Sequence, residues 1–258
     1  DDFALVVGFA AAAVYALLAG FALPAQRALS MLVIVAFVFG TTIGNLLMMQ
    51  PLIIAAALAD GLDPNATIRV PQEIQVGGEI LTDDRADPAG DTLINIVARS
   101  SNVGMVEIAR TLEAERIWRT FKDFGLAGPT GSGLGRSEAH GALDDHALWG
   151  STRKDTVAYG YGLSVTALQL ARVYAAIASG GLLPPMSFVA LDEPPERERI
   201  ISAEVARDLT RMLEAVISGE QATASRAAIP NYTAAGKTGT VRISGPGGYS
   251  DTHHRAIF

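Results

Sequence analysis

At 258 residues the chain has room for one large domain, or for a medium domain with a membrane anchor, and either can bury a sizeable core. A formal charge of -7 and only three lysines, Lys122, Lys154 and Lys237, exclude nucleic acid as a partner, since that needs clustered basic side chains. With no cysteine there is no disulfide framework, thiolate metal site or cysteine nucleophile, a composition compatible with an oxidising compartment.

The hydrophobic fraction of 49% against 18% charge is high for a soluble protein, and the excess is N-terminal. No charged residue lies between Phe3 and Gln26, and after Arg27 a second uncharged run extends from Ala28 to Ala59. About 20 apolar residues cross a bilayer, so residues 1–50 read as membrane-helix-like. A signal peptide is the competing reading; it normally opens on a basic segment, whereas this chain opens on Asp1 and Asp2.

From Asp60 the pattern becomes mixed α/β. Gly61–Asn65 reads as a turn, and the stretches 68–71 and 74–81 as short extended segments broken by Pro71 and the Gly77–Gly78 pair. Residues 94–125 carry apolar side chains at helical spacing and stop at Gly125; residues 127–156 are rich in Gly, Asp and Ser and read as loop. A helix is predicted from an N-cap at Thr166 to Gly180–Gly181, and another from Ser202 to Ser218. Residues 231–243 then read as a strand, with residues 253–258 opening its partner.

Two short motifs carry chemistry. Lys237-Thr238-Gly239, followed by Thr240, puts a cation and hydroxyls on a strand edge where they can hold a carboxylate, with a glycine that lets a substrate backbone approach. Alone, such a triplet is more often a turn with a solvated lysine. Ser100-Ser101-Asn102, at or just before a helix start, alone reads as a cap. A serine and an asparagine two residues apart, followed much later by Lys-Thr-Gly, are two of the three elements of serine penicillin-recognising enzymes.

The surrounding sequence is more specific. Arg99-Ser-Ser-Asn-Val-Gly-Met105, Ile117-Trp118, Phe124-Gly125, Thr130-Gly-Ser-Gly133, Tyr159-Gly-Tyr-Gly-Leu-Ser-Val-Thr166 and Leu168-Gln-Leu-Ala171 together resemble cell-division class B penicillin-binding proteins, from about Pro51 to Phe258. The resemblance implies an α/β (α+β) transpeptidase domain of the penicillin-binding and serine β-lactamase-like type over residues 51–258, with an antiparallel sheet and an all-helical subdomain, preceded by the apolar segment 1–50. It implies a membrane-anchored enzyme of the bacterial inner membrane with its catalytic domain in the periplasm, working with divisome proteins, and no cofactor or metal. In that family a serine attacks the penultimate D-Ala carbonyl of a peptidoglycan stem peptide ending in D-Ala-D-Ala, and a second strand's amine resolves the acyl-enzyme; β-lactams acylate the same serine. Carried over by motif, Ser100 would relay protons, Asn102 would bind the substrate amide, and Lys237, Thr238 and Thr240 would hold the terminal carboxylate beside Gly239.

One element of the pattern is missing: a serine nucleophile with a lysine three residues later, one helical turn away. Three positions before the lysines stand Arg119, Ser151 and Ala234, so only Ser151-Thr-Arg-Lys154 fits, at the wrong place in the order and in a predicted solvated loop. The family position falls just before Pro51. Without a gap it is occupied by Leu47-Met-Met-Gln50; with about six inserted residues it is occupied by Thr41-Thr-Ile-Gly44, where Thr41 offers a hydroxyl and Gly44 no base. The segments expected before the nucleophile and after Phe258 are also absent from the pattern, so the domain reads as cut at both ends. Two functional readings stay open: a D,D-transpeptidase, and a non-catalytic, membrane-tethered homologue that keeps the substrate groove or a division-complex contact surface. A soluble β-lactamase or β-lactam sensor would lack the Tyr159–Thr166 context.

Overall fold

The computed structural model describes residues 42–44, 47–83, 87–132, 138–186, 193, 196–245 and 248–257. The membrane-like run up to Thr41 lies outside them, and among the described residues no helix is long and apolar enough to cross a membrane.

The centre of the domain is helix α1 (Gln50–Ala59), preceded by a single 3-10 turn at Leu47–Met49. Pro51 sits in its first turn, where a missing N–H is harmless, and Ala55–Ala57 keep it slim enough to be surrounded. Every residue from Gln50 to Ala57 is buried, so the polarity of Gln50 stands out. Four short strands follow: β2 (Thr67–Val70), β3 (Glu73–Val76), β4 (Glu79–Thr82) and β5 (Asp87–Thr92). The chain then folds into α2 (Leu93–Ala98), α3 (Asn102–Arg110) and α4 (Ala114–Asp123). Ile117 and Phe121 of α4 face inward one turn apart while Arg119 faces solvent, the helical period expected of residues 94–125.

The segment predicted as loop is partly helical. Residues 146–148 form a 3-10 turn and Ser151–Ala158 form α5. Its apolar period is too weak to signal a helix; besides the buried Val157 and Ala158 at its end, polar contacts hold it. Arg110 at the end of α3 forks onto the buried Asp155, with Nη2 donating to Oδ2 at 2.7 Å, and Lys154 Nζ donates to the Leu112 carbonyl at 2.9 Å. Beyond it come β6 (Ser164–Thr166) and α6 (Ala167–Ala178), the latter opened by a full capping box in which Thr166 Oγ1 accepts from Gln169 N–H and Gln169 Oε1 accepts from Thr166 N–H. Strands β7 (Leu182–Leu183) and β8 (Glu198–Arg199) lead to α7 (Ala203–Ser218), capped by Ser202 and packed on α1 and α2 through Val205, Leu209, Met212, Leu213 and Val216.

Strand β9 (Gly239–Gly245) begins eight residues later than the predicted 231, because residues 231–238 form a turn and irregular backbone instead; its partner β10 (Gly248–Ile257) begins earlier than predicted. Among the described residues the sheet expected as one antiparallel layer consists of five antiparallel pairs: β2–β5, β3–β4, β7–β8, β9–β10, and β1 (Thr42–Gly44) with β6. The last pair, with Ile43 opposite Val165, ties residues 42–44 to the start of α6.

Candidate active site

Helix α2 ends and α3 begins within four residues, and Ser100 is the turning point. Ser101 N–H donates to the Ile96 carbonyl at 2.9 Å and Ser100 N–H to the Val97 carbonyl at 3.2 Å, the paired bonds of a Schellman ending. Such an ending needs one residue in left-handed conformation, usually glycine. Here it is Ser100, with φ of 61°, at a cost of about 1–2 kcal/mol for a residue with a Cβ. The serine is explained by its hydroxyl, which accepts a short hydrogen bond from Lys237 Nζ, 137 residues further on.

Lys237 is 1% exposed and also donates to the Thr238 carbonyl at 3.0 Å. Burial without a carboxylate partner among the described residues pushes its ammonium down from the usual lysine range to about 7, so near neutral pH it can hold or release a proton. Thr223 links the same two regions: its hydroxyl donates to the Ala98 carbonyl at 2.9 Å and stands 3.3 Å from the Thr238 hydroxyl. With the Thr223 proton so engaged, Thr238 is the donor in that contact. Gly239 is buried against the turn before α1; a Cβ there would lie 3.0 Å from Met48 Cγ. Thr240 follows it on β9, opposite Ala256 of β10. Ser100 and Asn102 line a polar cleft of about 370 Å³ with Asp83, Gln221 and Thr223, and Ser100 is the link between that cleft and buried Lys237.

Asn102 opens α3 and turns its side chain toward α1. Gln50, 0% exposed, donates through Nε2 to Asn102 Oδ1 at 3.1 Å, while its own Oε1 has no hydrogen-bond partner among the described residues. This contact bears on the two alignments of the nucleophile segment. Thr42–Gly44 is a strand paired with β6, whereas Leu47–Gln50 leads into α1 and delivers residue 50 to Asn102. In the ungapped register, Gln50 stands at the position where the resemblance implies a lysine, and it touches Asn102. Thr41 lies outside the described residues. Ser151 is exposed at the start of α5, and Lys154 is not solvated but bonded to Leu112, so Ser151-x-x-Lys154 forms no serine–lysine contact.

Of the residues singled out in the sequence, Ser100 and Lys237 are in contact, and Asn102 lines the same cleft as Ser100. The sequence did not mark Asp83 and Thr223, which bond to the same stretches of chain. Both are single polar residues in short connections, joined to the site by contacts across 15 or more residues, and no local pattern marks them.

Residues 49–258 match the family described as the penicillin binding protein transpeptidase domain, and the chain belongs to that family. Its fold is the penicillin-binding transpeptidase fold. The chain is 34% identical over 200 residues to the peptidoglycan D,D-transpeptidase FtsI of Escherichia coli K12, a match covering 77% of this chain and 33% of that protein. It is 33% identical over 209 residues to the penicillin-binding protein PbpB of Mycolicibacterium smegmatis, covering 74% and 32%. Among solved structures, the apo transpeptidase domain of Burkholderia pseudomallei penicillin-binding protein 3 superposes with a TM-score of 0.78 at 32% identity, covering 86% of this chain and 67% of that one. Penicillin-binding protein 3 of Mycobacterium tuberculosis, solved in complex with aztreonam, gives 0.76 at 29% identity, covering 83% and 52%. The chain spans about a third of the length of the curated relatives it matches.

Proposed function

We propose that this chain supplies the substrate-holding part of a septal peptidoglycan D,D-transpeptidase, a domain over residues 51–258 that takes stem peptides ending in D-Ala-D-Ala and is a target for β-lactams. The protein would stand at the bacterial inner membrane with this domain in the periplasm, in contact with divisome proteins. The observation that carries the reading is the Lys237–Ser100 contact at the wall of a polar cleft. A protonated Lys237, with Thr238 and Thr240 on the adjoining strand edge, provides charge-assisted binding for a terminal carboxylate. When it gives up its proton, the same amine can exchange protons with Ser100, and through it with an amine leaving or entering the cleft. Asn102, fixed by Gln50, keeps its amide N–H2 for a substrate carbonyl. Intact-mass measurement after incubation with a labelled penicillin, with peptide mapping, tests the covalent part: an adduct is the expected mark of a transpeptidase, and a folded protein that neither forms one nor binds the ligand reversibly refutes the assignment.

A second reading is favoured by one specific observation, Gln50. A carboxamide cannot take a proton from a serine, and an amide in place of the family's lysine leaves position 47, a leucine, with neither hydroxyl nor base. On this reading the groove binds stem peptides or penicillin reversibly, without acylation. Equilibrium binding that survives denaturant-free dialysis only while ligand is present, with no mass increase, distinguishes it from the first.

A further inference from the structure

The left-handed turn at Ser100 is flanked by residues that one carboxylate holds together. Asp83 lies just after β4, in a different part of the chain, with its side chain only 7% exposed. Its Oδ1 accepts from the backbone N–H groups of Asn102 at 3.1 Å and Val103 at 3.3 Å, the first two orphan donors of α3. Its Oδ2 accepts a short hydrogen bond from the Ser101 hydroxyl and stands 3.5 Å from Arg99 Nη1. Ser101 Oγ in turn accepts from Gly104 N–H at 2.8 Å, so the third orphan donor is also satisfied. A Cβ at 104 would press on that same Oγ at 2.8 Å and on Ile96 at 2.9 Å. Arg99 is steadied from its other side by Asp91, with Nε donating at 2.9 Å.

Thus the residue before Ser100 and the residue after it are both tied to Asp83, while the strained residue between them is free to present its hydroxyl. We infer that Asp83 is a positioning residue: it fixes Arg99, Ser101 and the start of α3 so that Ser100 keeps its left-handed conformation and its Oγ stays on Lys237. The role in turnover rests on the proposed function, but the alignment of Ser100 with Lys237 does not, and it can be measured without any ligand. A carboxylate suits the task better than a carboxamide, since it accepts from three donors, compensates Arg99 and complements the positive end of α3.

The test uses the full chain labelled with [6-13C]lysine. Three lysines give three signals, of which Lys237 is assigned by its loss in Lys237→Met. In Ser100→Ala the ammonium loses an acceptor, so the Lys237 titration midpoint falls. Asp83→Ala is expected to lower the midpoint in the same direction, by about half a pH unit or more, roughly a threefold change in proton affinity. Asp155→Ala, which breaks the distant buried pair with Arg110, is expected to loosen the fold without moving Lys237. A folded Asp83→Ala with an unchanged Lys237 curve overturns the inference, and so does an equal shift in Asp155→Ala. Where Asp83→Ala does not fold, Asp83→Asn, which keeps one acceptor oxygen, is read by the same criterion. Labelled penicillin added afterwards reports on the proposed function separately: a shift without binding upholds the positioning role while removing its catalytic meaning.

Discussion

Around Ser100 the hydroxyl sits on Lys237, Ser101 and the first N–H groups of α3 sit on Asp83, and Gly104 N–H sits on Ser101; around Gln50 a buried amide oxygen has no hydrogen-bond partner among the described residues. The two regions belong to one site but not to one state of completion. Under the proposed function, a groove that orients a substrate and the groups that attack it are separable: the first would need the Ser100–Asn102 turn and Lys237, the second a hydroxyl and a base at the start of α1.

The strongest way to break this contrast is to supply the missing chemistry. Leu47→Ser combined with Gln50→Lys places a hydroxyl and an amine one helical turn apart; on the non-covalent reading it is expected to turn a chain that binds penicillin reversibly into one labelled on the peptide spanning residue 47, while Gln50→Lys alone should give no adduct. Intact mass and peptide mapping decide it. On the intact side of the site, Lys237→Met removes a buried amine of similar length. It should weaken reversible penicillin binding about 10–100-fold, the effect of a charge-assisted hydrogen bond of about 1.5–3 kcal/mol, while leaving stability equal or higher, as titration calorimetry and thermal melts would show.

The pH dependence separates holding from folding by sign. Lys237 has a folded-state value near 7 against an unfolded value of 10.5, so between those limits the unfolded chain binds the extra proton. Stability from this group therefore rises as pH is raised from 7 toward 10.5, with a limiting slope of about 1.4 kcal/mol per pH unit. Binding of a carboxylate needs the protonated form and falls over the same range. Melting temperature and affinity should move in opposite directions with pH, and Lys237→Met should flatten both. A smaller effect is expected from Ser100→Gly: relief of the left-handed strain should stabilise the fold by about 1 kcal/mol, in denaturant melts, while the Lys237 contact is lost. Smallest of all, Gln50→Met should change stability by about 1 kcal/mol or less, since loss of the Asn102 contact is offset by removal of an orphan acceptor.

Much of this was legible in the sequence where a local rule governs. Thr166 and Ser202 cap their helices as their types dictate, and the apolar period of residues 94–125 gives three helices around the Ser100–Asn102 turn. The two motifs named Ser100 and Lys237, which the structure brings into contact. What escaped was set by distant partners. Helix α5 draws on Arg110 and Leu112 as well as on its buried Val157 and Ala158, the strand expected from residue 231 begins only at Gly239, and Asp83 is an unremarkable acid until α3 is folded against it. Residues 47–50 were legible as a departure, but the contact of Gln50 with Asn102, 52 residues away, was not.

Three of the bonds that build the site join residues far apart along the chain: Tyr174 to Met48 across 126 positions, Thr223 to Ala98 across 125, and Lys237 to Ser100 across 137. During synthesis, therefore, the far wall of the cleft is missing until Thr223 has emerged, and the Lys237–Ser100 contact until residue 237 has, long after α1 to α4 are available to fold. Loop closure of that span precedes the reward of its contacts and makes assembly slow. An arrest before residue 237 would thus leave Ser100 without its amine, whatever part of the helical portion had already formed.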